Sequence, residues 1–303
     1  MSTGAQNPTP PAARQPLYAQ VGVVGAGTMG HGIAHTLLRH GYAVVLADSA
    51  EPALESARQK IGRGLARDVE KGRLDEASRT AALGRLRTTA SLMELGGAGL
   101  IVEAVSENFD VKASVFRALQ PHCLPETIFT SNTSSISITR LAAATGRPQL
   151  FVGLHFFNPV PVMKLVEIVA GLDTAATTLE AAERLAISLD KTPVHANDMP
   201  GFVSNRVLMP MINEAIFAVM EGVAEPQAVD TVMKLGMNHP MGPLELADFI
   251  GLDVCLDIMR VLYDGFHDSK YRPCPLLEKM VAGGRLGRKS GRGFYSYSAA
   301  AKS

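Results

Sequence analysis

The chain has 303 residues, with 29 Lys and Arg balanced by 29 Asp and Glu, so its formal net charge is zero. The length suits two domains, and the missing basic excess argues against a protein held to nucleic acid by phosphate contacts. At 47% apolar residues the composition supports full cores, and no apolar run of roughly 18 residues occurs, so no membrane-spanning helix and no membrane partner are expected. Cys123, Cys255 and Cys274 are odd in number, widely spaced and lack a C-x-x-C pair. That pattern argues against a disulfide framework or structural zinc and suits a reducing, cytoplasmic setting.

Residues 1–16 carry Pro8, Pro10, Pro11 and Pro16 among small polar residues and read as a disordered tail without a signal-peptide core. Gln20–Val24 is an apolar run, read as a buried strand. A helix follows over Thr28–His40, closed by Gly41, and then a strand over Ala43–Ala47 that ends at Asp48. A long charged helix is predicted over Glu51–Glu70, with Pro52 in its first turn. Further strands are predicted at Leu100–Ala104, Thr127–Thr130 and Leu150–Leu154, most of them separated by helical stretches. Strand–helix alternation with apolar strands implies an α/β doubly wound, mostly parallel sheet covered on both faces. After Asp198-Met199-Pro200-Gly201 the pattern becomes helical. Two apolar rows run along Phe202–Met220, and Pro210 is expected to kink or break that helix. The predicted organisation is a tail at 1–16, a dinucleotide-binding domain over 17–199 and an all-helical substrate and dimerisation domain over 200–303.

Gly25-Ala26-Gly27-Thr28-Met29-Gly30 is a G-x-G-x-x-G turn placed after a strand and opening a helix, the context in which this pattern binds a dinucleotide. Gly25 permits the tight turn, Gly27 lets the backbone approach a pyrophosphate, and Gly30 lets the helix pack on the strand. Thr28 and Met29 fall in the first turn of that helix, whose N-terminus offers N–H groups and positive potential to an anion. Asp48 can bind the adenosine ribose hydroxyls, and neither Ser49 nor Ala50 supplies an Arg for a 2′-phosphate, which favours NAD over NADP.

Asn132-Thr133-Ser134-Ser135 follows one predicted strand, and Gly153-Leu154-His155-Phe156-Phe157-Asn158-Pro159 overlaps and follows the next. In an open α/β sheet these positions can converge at the carboxyl ends of the strands, where a His can act as a general base. His31 and His35 lie on the dinucleotide helix without the Glu of an H-E-x-x-H site, so no metal is expected. Ser134 with His155 lacks a G-x-S-x-G elbow, which argues against a serine hydrolase.

The stretches VGVVGAGTMGHGIAH, IVEAVSENFDVK, SNTSSISIT, GLHFFNPVPVMKLVEIV, NDMPGFVSNRVLMPMINEAIF, NHPMGPLELADFIGLD and GRLGRKSGRGFY, in that order, cover about residues 19–297. Together they resemble the short-chain L-3-hydroxyacyl-CoA dehydrogenases, and among them the bacterial 3-hydroxybutyryl-CoA dehydrogenases. The resemblance implies a general base at His155 oriented by Glu167, with Ser134 and Asn205 holding the substrate. It also implies nicotinamide-side or ribose contacts from Glu107, Lys112, Asn132, Asn158 and Lys289, and a coenzyme A contact from Lys71. It implies NAD as cofactor and a short (S)-3-hydroxyacyl-CoA as substrate, while the apolar stripes of the helical domain, more than one short domain buries easily, predict a homodimer. Two rivals remain beside it. One is a β-hydroxyacid dehydrogenase, which resembles a Lys-based catalyst and lacks the H-F-F-N-P block with its Glu. The other is a cofactor-binding structural protein, which would not need Ser134, His155, Glu167 and Asn205 together.

Overall fold

The structure, a computed structural model, describes residues 15–297. The chain divides into two compact units that meet in sequence at Asp198 and Met199.

In the first unit, Gln20–Val24 (β1), Thr28–Arg39 (α1) and Ala43–Ala47 (β2) form a strand–helix–strand unit. The buried face of α1 carries Ile33, Ala34, Leu37 and Leu38, and the chain leaves it through Gly41 at φ 91°. Glu51–Glu70 (α2) buries Leu54, Ala57, Ile61 and Leu65, which recur at helical spacing, and keeps Arg58, Lys60, Arg63 and Arg67 exposed. Glu76–Gly84 (α3), Leu86–Thr89 (β3), Leu100–Glu103 (β4), Phe109–Leu119 (α4), Ile128–Ser131 (β5) and Ile138–Ala144 (α5) follow. Then come Phe151–Phe156 (β6), Leu165–Ala170 (β7), Ala176–Ser188 (α6) and Thr192–Asn197 (β8).

Among the described residues eight strands form one sheet in the order β3-β2-β1-β4-β5-β6-β7-β8. The pairs from β3 through β6 are all parallel, β7 runs antiparallel to β6, and β8 is parallel to β7. Strand order reverses between β1 and β4, and in doubly wound sheets ligands bind beyond the carboxyl ends of the strands at such a switch point. Asp198, just past β8, accepts hydrogen bonds from Ser137 Oγ, Ile138 N and Thr139 N, and so holds the end of the unit on the start of α5.

The predicted strands in the middle of the sheet are present. β3, β7 and β8 lie outside the strands that the sequence predicts, and the reasons are physical. β3 is a short edge strand with a charged Arg87. β8 is a largely exposed edge strand containing Pro193, a residue that central strands exclude. β7 is an apolar run interrupted by Glu167, which periodicity cannot separate from a buried helical segment. Of the tail expected over 1–16, residues 1–14 lie outside the described residues; Pro16 lies beside Gly41, and Leu17 and Tyr18 pack on the core.

The second unit is helical: Ser204–Met220 (α7), Pro226–Thr231 (α8), Pro243–Ile250 (α9), Leu252–Phe266 (α10) and Pro275–Ala282 (α11). Its core gathers Met209, Ile212, Ile216, Leu244, Leu256, Met259 and Leu277. Helix α7 continues through Pro210, flanked by buried Met209 and Ile212. Asn213, which interrupts the apolar rows of α7, is buried. Its side chain donates to the Arg272 carbonyl at 3.0 Å and accepts from Cys274 N at 2.8 Å, tying α7 to the segment that precedes α11. Among the described residues no helix is long and apolar enough to cross a membrane.

Candidate active site

The glycine turn lies between β1 and α1. Gly25 has φ 99°, and a Cβ there would meet the Ala104 carbonyl oxygen at 2.5 Å, so the close approach of the turn to the end of β4 requires glycine. A Cβ on Gly30 would strike the Gly25 carbonyl, whereas one on Gly27 would meet nothing within 4 Å. Gly27 is also the N-cap of α1 and supplies no side-chain hydrogen bond to the helix's first N–H groups. Thr28 is exposed there, and Met29 packs partly on the core. Asp48, at the end of β2, accepts from Ala26 N at 2.7 Å and from Ala50 N at 2.9 Å.

A second cluster joins the ends of β4 and β5 to α4. The Lys112 ammonium on α4 is buried and lies 2.7 Å from Glu103 Oε1 and 3.3 Å from Glu107 Oε2. Glu103 also accepts from Val105 N at 2.7 Å and from Ser131 Oγ at 2.6 Å. Glu107 accepts from Thr133 Oγ1 at 2.6 Å, Ser134 N at 2.8 Å, Ser134 Oγ at 3.3 Å and Ser135 Oγ at 3.1 Å. The two carboxyls sharing Lys112 move in opposite directions. Burial pushes Glu103 above the usual glutamate range despite Lys112. Burial opposes ionisation of Glu107 too, but Lys112 and the bonds from Thr133 and Ser134 hold it below that range. The Ser134 turn is therefore fastened to an ionised, half-exposed carboxylate.

His155 on β6 and Glu167 on β7 are directly opposed in the antiparallel register, both buried, with His155 Nδ1 2.7 Å from Glu167 Oε2. With Glu167 ionised, Nδ1 carries the proton and donates it. The Phe157 ring lies 4.6 Å from the imidazole, centre to centre. Asn132 Oδ1 accepts from Phe156 N at 2.9 Å and ties the turn after β5 to the end of β6. The first unit thus gathers Asn132, Ser134, Glu107, Lys112, His155 and Glu167 at neighbouring strand ends, with Asn158 exposed in the loop between β6 and β7.

Lys71, exposed, caps the C-terminus of α2. Asn205 is buried in the first turn of α7, and Lys289 Nζ lies 2.5 Å from Asp253 Oδ2, both within the second unit. Among the described residues no group of three or more His, Cys, Asp or Glu side chains could hold a metal ion. His35 is bonded instead to the buried Asp68, at 2.8 Å. The residue that sequence reasoning passed over is Glu103. It lies in the stretch IVEAV, but an acid inside a buried strand gives no sign of its role until Lys112 and Ser131 are seen around it.

The family model described as 3-hydroxyacyl-CoA dehydrogenase, NAD binding domain, matches residues 20–199, and that of its C-terminal domain matches residues 201–297. The chain belongs to the 3-hydroxyacyl-CoA dehydrogenase family. It is 54% identical over 278 residues to a probable 3-hydroxybutyryl-CoA dehydrogenase of Bacillus subtilis, covering 92% of this chain and 97% of that one. It is 51% identical over 281 residues to the 3-hydroxybutyryl-CoA dehydrogenase of Bradyrhizobium diazoefficiens, covering 93% and 96%. The crystal structure of (S)-3-hydroxybutyryl-CoA dehydrogenase from Ralstonia eutropha is similar to it at TM-score 0.90 and 48% identity, covering 92% of this chain and 99% of that one.

This dehydrogenase carries the family's NAD-binding domain, and its own residues fit the dinucleotide. The open space over Gly27 and the uncapped α1 N-terminus suit a pyrophosphate, and Asp48 at the end of β2 stands where a carboxylate meets a ribose.

Proposed function

We propose that this dehydrogenase interconverts (S)-3-hydroxybutyryl-CoA and acetoacetyl-CoA, with His155 moving the proton of the 3-oxygen. The observation that carries this reading is the His155–Glu167 pair, a buried imidazole held at Nδ1 by a carboxylate 2.7 Å away. NAD, when bound, accepts the hydride in oxidation, and NADH supplies it in reduction.

Glu167, by accepting from Nδ1–H, sets the tautomer in which Nε2 takes the hydroxyl proton, and its charge stabilises the resulting imidazolium. In reduction the same nitrogen returns the proton. Ser134, fastened by Glu107, is assigned to hydrogen-bond the reacting oxygen, and its motif gives Asn205 the task of holding the acyl group. Glu107, Lys112, Asn132, Asn158 and Lys289 are assigned to the nicotinamide side or ribose. Of these, Lys112 acts through Glu107, since its ammonium is already shared between two carboxylates. Lys71 is assigned to coenzyme A, and the exposed basic side chains along α2 support attraction of its phosphates.

The relatives named as 3-hydroxybutyryl-CoA dehydrogenases support the short acyl chain. The protein works as a homodimer, a reading supported by exposed apolar side chains of the second unit such as Val207, Leu235 and Phe249. The reading places it in the cytoplasm, consistent with three buried, unpaired cysteines.

The test is the initial rate of cofactor oxidation with 3-oxoacyl-CoA substrates of increasing length, with NADH and NADPH in parallel. Highest kcat/KM with acetoacetyl-CoA and NADH supports the reading. Tight NADH binding without oxidation on any acyl length would contradict it and favour a cofactor-binding structural role.

A further inference from the structure

The loop from Phe157 to Lys164 joins the strand of His155 to the strand of Glu167 and carries Asn158. It is held from two sides. On one, buried Val160 packs against Gly32 in α1, so closely that a Cβ on Gly32 would meet Val160 Cβ at 3.1 Å. On the other stands Lys191, between α6 and β8, with 7% of its surface exposed. Its Nζ lies 2.5 Å from the Val160 carbonyl and 2.6 Å from that of Met163, bridging both ends of a turn in which Val162 N and Met163 N donate to the Pro159 carbonyl. The next residue continues the attachment, since Thr192 N donates to the Lys164 carbonyl at 2.7 Å. A buried ammonium is costly unless its protons are taken up, and here two main-chain carbonyls of one loop take them.

We propose that Lys191 is a positioning residue: its ammonium pins the loop between β6 and β7 and thereby presents Asn158 to the dinucleotide. The cofactor half of this inference rests on the assignment of Asn158 made above. The charged groups acting on the ammonium are Arg39 at the end of α1, Lys164 in the loop, and Asp190, which is in turn hydrogen-bonded to His40 Nε2 at 3.2 Å. Burial, with Arg39 and Lys164 adding to it, pulls the Lys191 amine down to about 8. Above that pH the neutral amine keeps two N–H groups but loses the charge that strengthens both bonds, so the pin weakens as pH rises.

The experiment compares the parent with Lys191→Met, which keeps the length and apolar stem but removes the donors. Hydrogen exchange over residues 158–164 is measured without cofactor, and NADH affinity is measured from about pH 7 to 9, a window spanning the Lys191 transition. In Lys191→Met the loop amides should exchange faster and NADH affinity should fall roughly tenfold, the scale of one charge-assisted hydrogen bond, with little change in kcat at saturation. Parent affinity should weaken as pH rises through about 8, and the variant should be flat there. Unchanged loop exchange in Lys191→Met would overturn the pin. Faster exchange with unchanged NADH affinity would overturn the presentation of Asn158. If Asn158→Ala is then silent as well, the error lies in giving Asn158 to the cofactor. Should Lys191→Met not fold, the parent's pH series decides, because affinity independent of pH across that window overturns the proposal.

Discussion

The carboxylate of Asp48 accepts a hydrogen bond from the backbone N–H of Ala26 at 2.7 Å, so the residue that ends β2 is part of the glycine turn that follows β1. Asp48 therefore holds the turn, and a substitution that separates this task from its proposed contact with the ribose is informative. Asp48→Asn keeps one acceptor, for Ala26 N, but turns an amide NH2 toward Ala50 N and removes the charge. It should narrow the preference for NADH over NADPH and lower thermal stability less than Asp48→Ala does. Asp48→Ala should lower both NADH affinity and stability, the latter by about 1 kcal/mol for the lost acceptor. Equal use of NADPH and NADH by the parent would show that Asp48 does not set the preference.

Glu107 gathers the hydroxyls and the N–H of the Ser134 turn, so two substitutions should read differently. Ser134→Ala removes the hydroxyl proposed to bind the substrate and should reduce turnover by about 10-fold to 10²-fold with NADH affinity near its starting value. Glu107→Gln keeps an acceptor but withdraws the charge facing Lys112, and should weaken both turnover and NADH binding. A Ser134→Ala enzyme with normal turnover and weak NADH binding would move Ser134 to the cofactor.

Asn205, buried in the first turn of α7, should behave like Ser134 rather than like a cofactor ligand. Asn205→Ala is expected to lower turnover on acetoacetyl-CoA while the NADH dissociation constant, read by fluorescence titration, stays within about twofold, well under the tenfold that a lost ligand hydrogen bond would cause. A large loss of NADH affinity at normal saturated turnover would contradict the assignment.

Asp68 is the buried acid of α2, whose other acids, Glu51, Glu55 and Glu70, are exposed. It joins α2 to α1 through His35 at 2.8 Å and Arg39 at 3.6 Å, and it faces Arg73 at 3.5 Å. Burial opposes its ionisation, but the His35 bond and the Arg39 and Arg73 charges hold its carboxyl below the usual aspartate value. Because the folded value is the lower one, its stabilisation is complete above the unfolded aspartate pKa of about 3.9 and is lost as pH falls through the folded value. Asp68→Asn should cost on the order of 3 kcal/mol at neutral pH and flatten the acid limb of the melting curve. An acid limb identical to the parent's would remove Asp68 from the account.

The parts of the fold that could be read in advance are those whose residues are buried by their own pattern. Gln20–Val24 and Ala43–Ala47 are uninterrupted apolar runs inside the sheet, and Glu51–Glu70 shows one clean apolar stripe. β3 and β8 escaped because edge strands carry Arg87, Pro193 and exposed side chains. The glycine turn and the His155–Glu167 pairing were legible, the first from context and the second from resemblance. The Glu103–Lys112–Glu107 cluster and Lys191 were not. Their partners come from three elements or are backbone carbonyls, and no residue spacing records such contacts.

The most direct test of the account is a double-mutant cycle on acetoacetyl-CoA reduction by NADH, followed as loss of NADH absorbance under saturating substrates. The variants are His155→Gln, Glu167→Gln and the pair together. If Glu167 acts only through His155, each single change lowers turnover by about 10²-fold or more, and the double variant is no slower than His155→Gln alone. NADH affinity stays constant throughout. Near-normal turnover in His155→Gln, or losses that multiply in the double variant, would contradict a single His155–Glu167 proton-transfer unit.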